Sequence, residues 1–212
     1  MQIKAVVFDF DNTLVATNEY TKIVVMEAAK NIGQNLDEKT VTDIQKKNLC
    51  PEEIFNELFG PTIGPTGLAE YRDIGLTKFY KANPGAIDIV QYITDKGMLH
   101  GIVTNRTMKL ALRYAQSGCA AMDFMFMPLS KDLAKPNPKA FDRVLDELVK
   151  RNIGANETLS IGDHVGDYVS SNGAGLLFAA VLTGSSTKDE FIACGLDPSM
   201  IFNDLIELKK II

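Results

Sequence analysis

Apolar positions along the chain fall into two alternating rhythms. Short, β-branched runs at 3–8 (IKAVVF), 99–104 (LHGIVT), 123–127 (DFMFM), 158–162 (TLSIG) and 177–182 (LFAAVL) have the length and composition of buried strands. Between them apolar residues repeat at helical spacing. In 85–95 the repeat is Ile87, Val90 and Ile93, and further helices are expected over 107–117, 137–150 and 167–174. Strand alternating with helix predicts a parallel sheet covered on both faces, an α/β chain with a Rossmann-like core.

One region breaks the alternation. From Ala16 to about Ala82 only helical periodicity is found. EYTKIVVMEAAKNIG stops at Gly33, and LDEKTVTDIQKKN, PEEIFNELFG and LAEYRDIGLTKFYKA read as further helices. The Gly/Pro-rich stretch 60–67, GPTIGPTG, is expected to be a turn. The domain reading is therefore a catalytic core of residues 1–15 and 85–212, with an inserted all-helical cap at 16–84. Hinges are expected near Val15–Thr17 and Asn83–Gly85. An insert after the first strand would lie above the carboxyl ends of the sheet, where ligands of open α/β folds bind. Asn18, Tyr20, Lys46, Lys47 and Arg72 are its candidates for facing a substrate.

Composition narrows the partners. The 212 residues are 46% hydrophobic and 23% charged, ordinary globular values, with a formal charge of −5. No run of Lys or Arg exceeds a pair, which argues against a nucleic-acid partner. Asp9 and Asp11 interrupt the apolar opening, against a signal peptide, and GLLFAAVLTG is too short to span a bilayer. Three cysteines without Cys-x-x-Cys spacing suit a reducing compartment. A cytoplasmic protein without membrane contact is expected, as a monomer or homodimer.

The strand ends carry the chemistry. The first offers Asp9 and Asp11, with Thr13 close behind; the second offers Thr104, Asn105 and Arg106. The third leads into KDLAKPNP with Lys135, and the fourth ends in GDHVGD with Asp163 and Asp167. Alone, a strand-end Thr usually caps a helix and a loop lysine is usually solvated. Their order on successive strand ends is what points to a site. Crowded carboxylates raise a pKa or recruit a cation, and all-oxygen ligation favours Mg2+. With Mg2+, Asp9 is a candidate nucleophile toward phosphorus and Asp11 a candidate acid/base. Thr104 and Lys135 would then hold the phosphoryl oxygens, with Asn105 beside them.

This ordered set resembles the four motifs of the haloacid dehalogenase-like hydrolase superfamily, in the branch with a helical cap after the first motif. DFDNT is similar to the first motif, GIVTNR to the second, KPNP to the third and GDHVGD to the fourth. The resemblance implies Asp9 as nucleophile and Asp11 as acid/base. It implies Mg2+ held by the Asp9 side chain, the Asp11 backbone carbonyl and Asp163. Asp167 would support the site, through a water or by pairing with Lys135. Dehalogenating and phosphonate-cleaving members lack an Asp at the position of Asp11, so phosphate-ester chemistry is implied. NPGAIDIVQYITDKG, TNR, KPNP and GDHVGD are similar to phosphoglycolate-phosphatase-like and β-phosphoglucomutase-like members, although His164 stands where a small residue is usual.

The expected function is Mg2+-dependent hydrolysis of a small phosphorylated metabolite, phosphoglycolate-like or a sugar phosphate, through an aspartyl-phosphate. A phosphomutase is the nearest alternative, and a non-catalytic phosphate- or metal-binding domain the next. The mutase-type members carry a cap His and a Thr-x-x-Arg element. Here His100 and His164 lie outside the insert, and no threonine in it has an Arg three residues on.

Overall fold

The computed structural model describes residues 2–45, 47, 49–106 and 110–212. It divides into two compact units, Met1–Ala16 with Lys81–Ile212, and Thr17–Tyr80.

The larger unit is built on a parallel six-stranded sheet. Its strands are β1 (Ala5–Phe8), β2 (Leu99–Val103), β3 (Phe124–Phe126), β4 (Thr158–Gly162), β5 (Leu177–Val181) and β6 (Ile201–Phe202), in the order β3-β2-β1-β4-β5-β6. All residues of β1, β2 and β4 are buried, as their largely apolar character suits in a sheet covered on both faces. β1 lies at the centre, with Phe8 opposite Ile102 on one side and Ile161 on the other. The chain adds β2 and β3 to one side of β1 and β4, β5 and β6 to the other. The carboxyl end of β1 is therefore the point where strand order reverses, the usual ligand crevice of such sheets.

Helices α4 (Ala86–Asp95), α5 (Leu110–Ser117), α6 (Asp142–Lys150), α7 (Val165–Gly173) and α8 (Lys188–Ala193) belong to this unit. α6 turns Val144 and Leu148 into a core cluster with Val7, Val103 and Phe141. The helix expected over 137–150 opens as a 3-10 turn, Pro138–Phe141, with Pro138 at its first position and Asn137 Oδ1 accepting from Lys139 N at 3.0 Å. The start of the helix expected over 107–117 falls at 107–109, outside the described residues. Strand β6 escapes the periodicity reading: two residues carry no pattern, and it is held by pairing with β5 and by Leu182 N donating to Phe202 O at 2.9 Å. At Gly85, φ is +79° and a Cβ would strike Ile206, so the turn into α4 admits only glycine.

The smaller unit contains α1 (Thr17–Asn31), α2 (Glu38–Gln45) and α3 (Pro51–Thr77). Here the turn expected at 60–67 is corrected. α3 runs through it, broken only at Gly60, whose φ of 72° and ψ of 172° are non-helical. Pro61 follows the break, where its fixed φ suits the first turn of a new helical segment. Phe55 lies 5.8 Å from Phe59 and 5.6 Å from Tyr71, giving the unit an aromatic core. Tyr20, a candidate for substrate contact, is instead buried: it stacks on Tyr80 at 3.9 Å and donates to Gly75 O at 2.9 Å. Lys47 pairs with Glu57, Arg72 is exposed, and Lys46 lies outside the described residues. No described helix is long and apolar enough to cross a membrane.

Beside the core, the chain leaves and rejoins the larger unit at neighbouring points. Val15 forms an antiparallel bridge with Ala82, and Ala16 N donates to Lys81 O at 2.9 Å.

Candidate active site

Asp9 is the first residue past β1, and its N–H donates to Ile161 O at 2.8 Å, continuing the ladder with β4. That bond places the Asp9 carboxylate at the reversal point of the sheet. Lys135 enters from the loop after β3. Its Nζ lies 2.5 Å from Asp9 Oδ1 and 2.5 Å from Asp167 Oδ1, and donates to Val103 O at 3.0 Å. The lysine is buried, which is tolerable because each of these oxygens offsets the desolvation of its charge.

Asp163 comes from the turn between β4 and α7, and Asp167 from the first turn of α7. His164 caps α7, its Nδ1 accepting from Gly166 N at 2.9 Å, while Asp167 Oδ2 accepts from His164 N at 3.1 Å. This reciprocal cap fixes Asp167 in the first helical turn, directed at Lys135. Asp163 Oδ1 accepts from Thr13 Oγ1 at 2.9 Å. Thr13 is in turn anchored by Asn83, whose Nδ2 donates to Thr13 O at 3.0 Å.

Thr104 follows β2, with its N–H donating to Phe126 O at 3.1 Å. Its Oγ1 accepts from Arg106 N at 3.1 Å, a bond that does not use the hydroxyl hydrogen. Asn105 grips the Lys135 main chain at both ends, donating to its carbonyl at 2.8 Å and accepting from its N–H at 2.9 Å. The Asn105 side chain thereby ties the loops after β2 and β3. Asp11 is turned toward Arg106, which binds both of its oxygens.

Charge crowding is evident. Burial pushes the Asp9 carboxyl up to about 7, against the pull of Lys135, with Asp167 and Asp11 adding to the rise. Asp163 is pushed well above the ordinary range, first by burial and then by Asp9 and Asp167. For Lys135, burial alone would lower the pKa, but Asp167 and Asp9 outweigh it and hold the ammonium charged. Carboxylate oxygens of Asp9, Asp163 and Asp167 lie within 4.8 Å of one another. An all-oxygen set at this spacing, with two members raised first by burial and further by neighbouring carboxylates, fits a hard divalent cation such as Mg2+.

Three residues of the site were not given roles by sequence reasoning. Thr13 was visible only as the hydroxyl two positions after Asp11, and Arg106 only as the residue two beyond Thr104. Gly184, in LTGSS after β5, is the third. A Cβ there would collide with the Asp163 carboxylate, so the backbone closes over that side chain.

Known proteins resemble this chain along most of its length. A family model described as haloacid dehalogenase-like hydrolase matches residues 6–181. The pyrophosphatase PpaX of Oceanobacillus iheyensis is 24% identical over 100% of this chain and 98% of its own length. The glyceraldehyde 3-phosphate phosphatase of Methanocaldococcus jannaschii is 24% identical over 86% of each chain. Among solved structures, a HAD-superfamily hydrolase, subfamily IA, variant 1, from Geobacter sulfurreducens superposes with a TM-score of 0.71, at 17% identity, over 98% of this chain and 95% of its own.

Proposed function

This chain belongs to the haloacid dehalogenase-like hydrolase family, and on that premise we propose that it is a Mg2+-dependent phosphatase acting on a small phosphorylated metabolite. The observation that carries the reading is the meeting of Asp9, Lys135, Asp167 and Asp163 at the carboxyl end of β1. The relatives named as a pyrophosphatase and a glyceraldehyde 3-phosphate phosphatase support the same reaction class.

In this reading an Asp9 oxygen attacks phosphorus, the bond to the leaving oxygen breaks, and Asp11 supplies that oxygen with its proton. Water then attacks the aspartyl-phosphate and gives a proton to Asp11, releasing phosphate and restoring the Asp9 carboxylate. The Thr104 hydroxyl and the Lys135 ammonium meet the charge on the phosphoryl oxygens. Asn105 and Asp167 position Lys135. The Asp9 and Asp163 side chains and the Asp11 carbonyl would hold Mg2+, which when bound neutralises carboxylate and phosphoryl oxygens. The helical unit Thr17–Tyr80 would supply substrate selectivity.

The test is hydrolysis of p-nitrophenyl phosphate with and without Mg2+, by the wild type and Asp9→Asn. Activity should require the metal and fall by several orders of magnitude in the variant, because the covalent route is removed. Near-normal turnover by Asp9→Asn would overturn the nucleophile assignment.

A further inference from the structure

Arg106 has no part in the reaction just described, yet it is bound to one of its participants. Its Nε donates to both carboxylate oxygens of Asp11, at 3.0 and 2.8 Å, and its Nη2 donates to Oδ1. The guanidinium also lies 5.9 Å from the centre of the Phe10 ring. The two side chains are 20% and 27% exposed, so the pair is sheltered but within reach of a ligand.

This geometry conflicts with the proposed work of Asp11. An acid/base carboxylate must face the leaving oxygen and then the water, whereas here both oxygens face a guanidinium. Arginine does not lose its proton in proteins, so the guanidinium remains a cation throughout. Leaving it half-buried without an anion is unfavourable, and its fork suits carboxylate and phosphate equally. The pair therefore opens most readily by exchange, one anion replacing another.

We propose that Arg106 recognises a second anionic group on the substrate, carboxylate or phosphate, and that this group releases Asp11 for catalysis as it binds. The inference rests on the phosphatase reading of the same site and narrows its substrate class. Thr104 and Arg106 sit on one short turn, joined by the bond from Arg106 N to Thr104 Oγ1. The guanidinium itself is seated on Asp11, two residues beyond Asp9, so an anion that displaces Asp11 binds beside the transferred phosphoryl group. An ester carrying a single phosphoryl group binds without opening the pair and meets a misdirected Asp11.

Calorimetric binding of three phosphonates to the protein in saturating Mg2+ tests this without turnover. Methylphosphonate offers one anionic group, phosphonoacetate adds a carboxylate, and methylenediphosphonate adds a second phosphoryl group. At least one of the latter two should bind wild type about tenfold more tightly than methylphosphonate, the scale of a charge-assisted hydrogen bond, and the arm that does so identifies the anion. Arg106→Gln should abolish the advantage. Asp11→Asn should widen it, because the internal competitor is removed, and this variant decides the matter even if Arg106→Gln does not fold. Equal binding of all three ligands by wild type, an advantage surviving Arg106→Gln, or no widening in Asp11→Asn would overturn the proposal. A preference without hydrolysis of any ester would count against the reaction and not against Arg106. Hydrolysis without a preference would do the reverse.

Discussion

Lys135 and Asp9, 126 positions apart in the chain, meet with Nζ and Oδ1 2.5 Å apart in the protein interior. The lysine also reaches Asp167 on α7 and the last carbonyl of β2. One ammonium thus joins the ends of β1 and β2 and the start of α7, and its charge is what allows the acids to crowd.

Replacing it should therefore damage both stability and chemistry. Lys135→Met keeps the aliphatic stem and removes the charge, leaving buried carboxylates uncompensated. Urea denaturation at neutral pH should show a loss of about 3–5 kcal/mol, as for other broken buried pairs. Turnover of an aryl phosphate should fall by about a hundredfold or more. Unchanged values in both measurements would mean that the pairing carries no energetic weight.

Stability of the metal-free protein should fall as pH rises. The Asp9 carboxyl is pushed up to about 7 in the folded protein from its ordinary 3.8, so the native state holds a proton that the unfolded chain has already released. Its contribution is fully present below about pH 4 and lost by about pH 7, and Asp163 acts in the same direction. Thermal melts in a chelator across that window should show the decline, superimposed on the titration of other groups. Mg2+ should reverse it most strongly at the upper end, where the carboxylates are ionised. A metal effect independent of pH would contradict the crowding account.

Thr13→Val preserves shape and deletes the hydroxyl that donates to Asp163. The buried carboxylate loses a partner, which should cost about 1 kcal/mol or somewhat more. Because ligand orientation depends on such partners, Mg2+ affinity should weaken by about tenfold or more. Titration calorimetry reads this directly, and wild-type affinity would show that Asp163 does not need the hydroxyl.

Gly184→Ala adds one methyl group where the backbone meets the Asp163 carboxylate. Overpacking of this kind costs about 1–3 kcal/mol, and here relief requires the carboxylate to move. The variant should fold, with a lower melting temperature and a larger proportional loss of kcat than of stability. Full activity would show that the loop after β5 yields instead.

Much of the core was legible because its signals are local and redundant. The strand AVVF is apolar throughout and TLSIG is interrupted only by two small hydroxyl residues, and the residue that follows each is the one that faces the site. Asp9 and Asp163 could therefore be placed from sequence. Arg106 could not, because its partner Asp11 is 95 positions away and the pairing depends on how two loops meet. Thr13 and Gly184 act on Asp163 through space, one by a hydroxyl and the other by lacking a side chain. Gly60 misled in the opposite direction. A Gly/Pro cluster reads as a turn, yet a single glycine absorbs the whole break and Pro61 can start a helix immediately.

The bridge between Val15 and Ala82 fastens the two crossings like a hem. Whatever chain lies between these points begins and ends at nearly the same place, so its length is barely felt by the sheet. Closing an excursion becomes harder only as the logarithm of its length, about 0.6 kcal/mol for each doubling. Selection can therefore lengthen, trim or exchange the intervening segment while Asp9 and its partners stay where β1 and β4 put them.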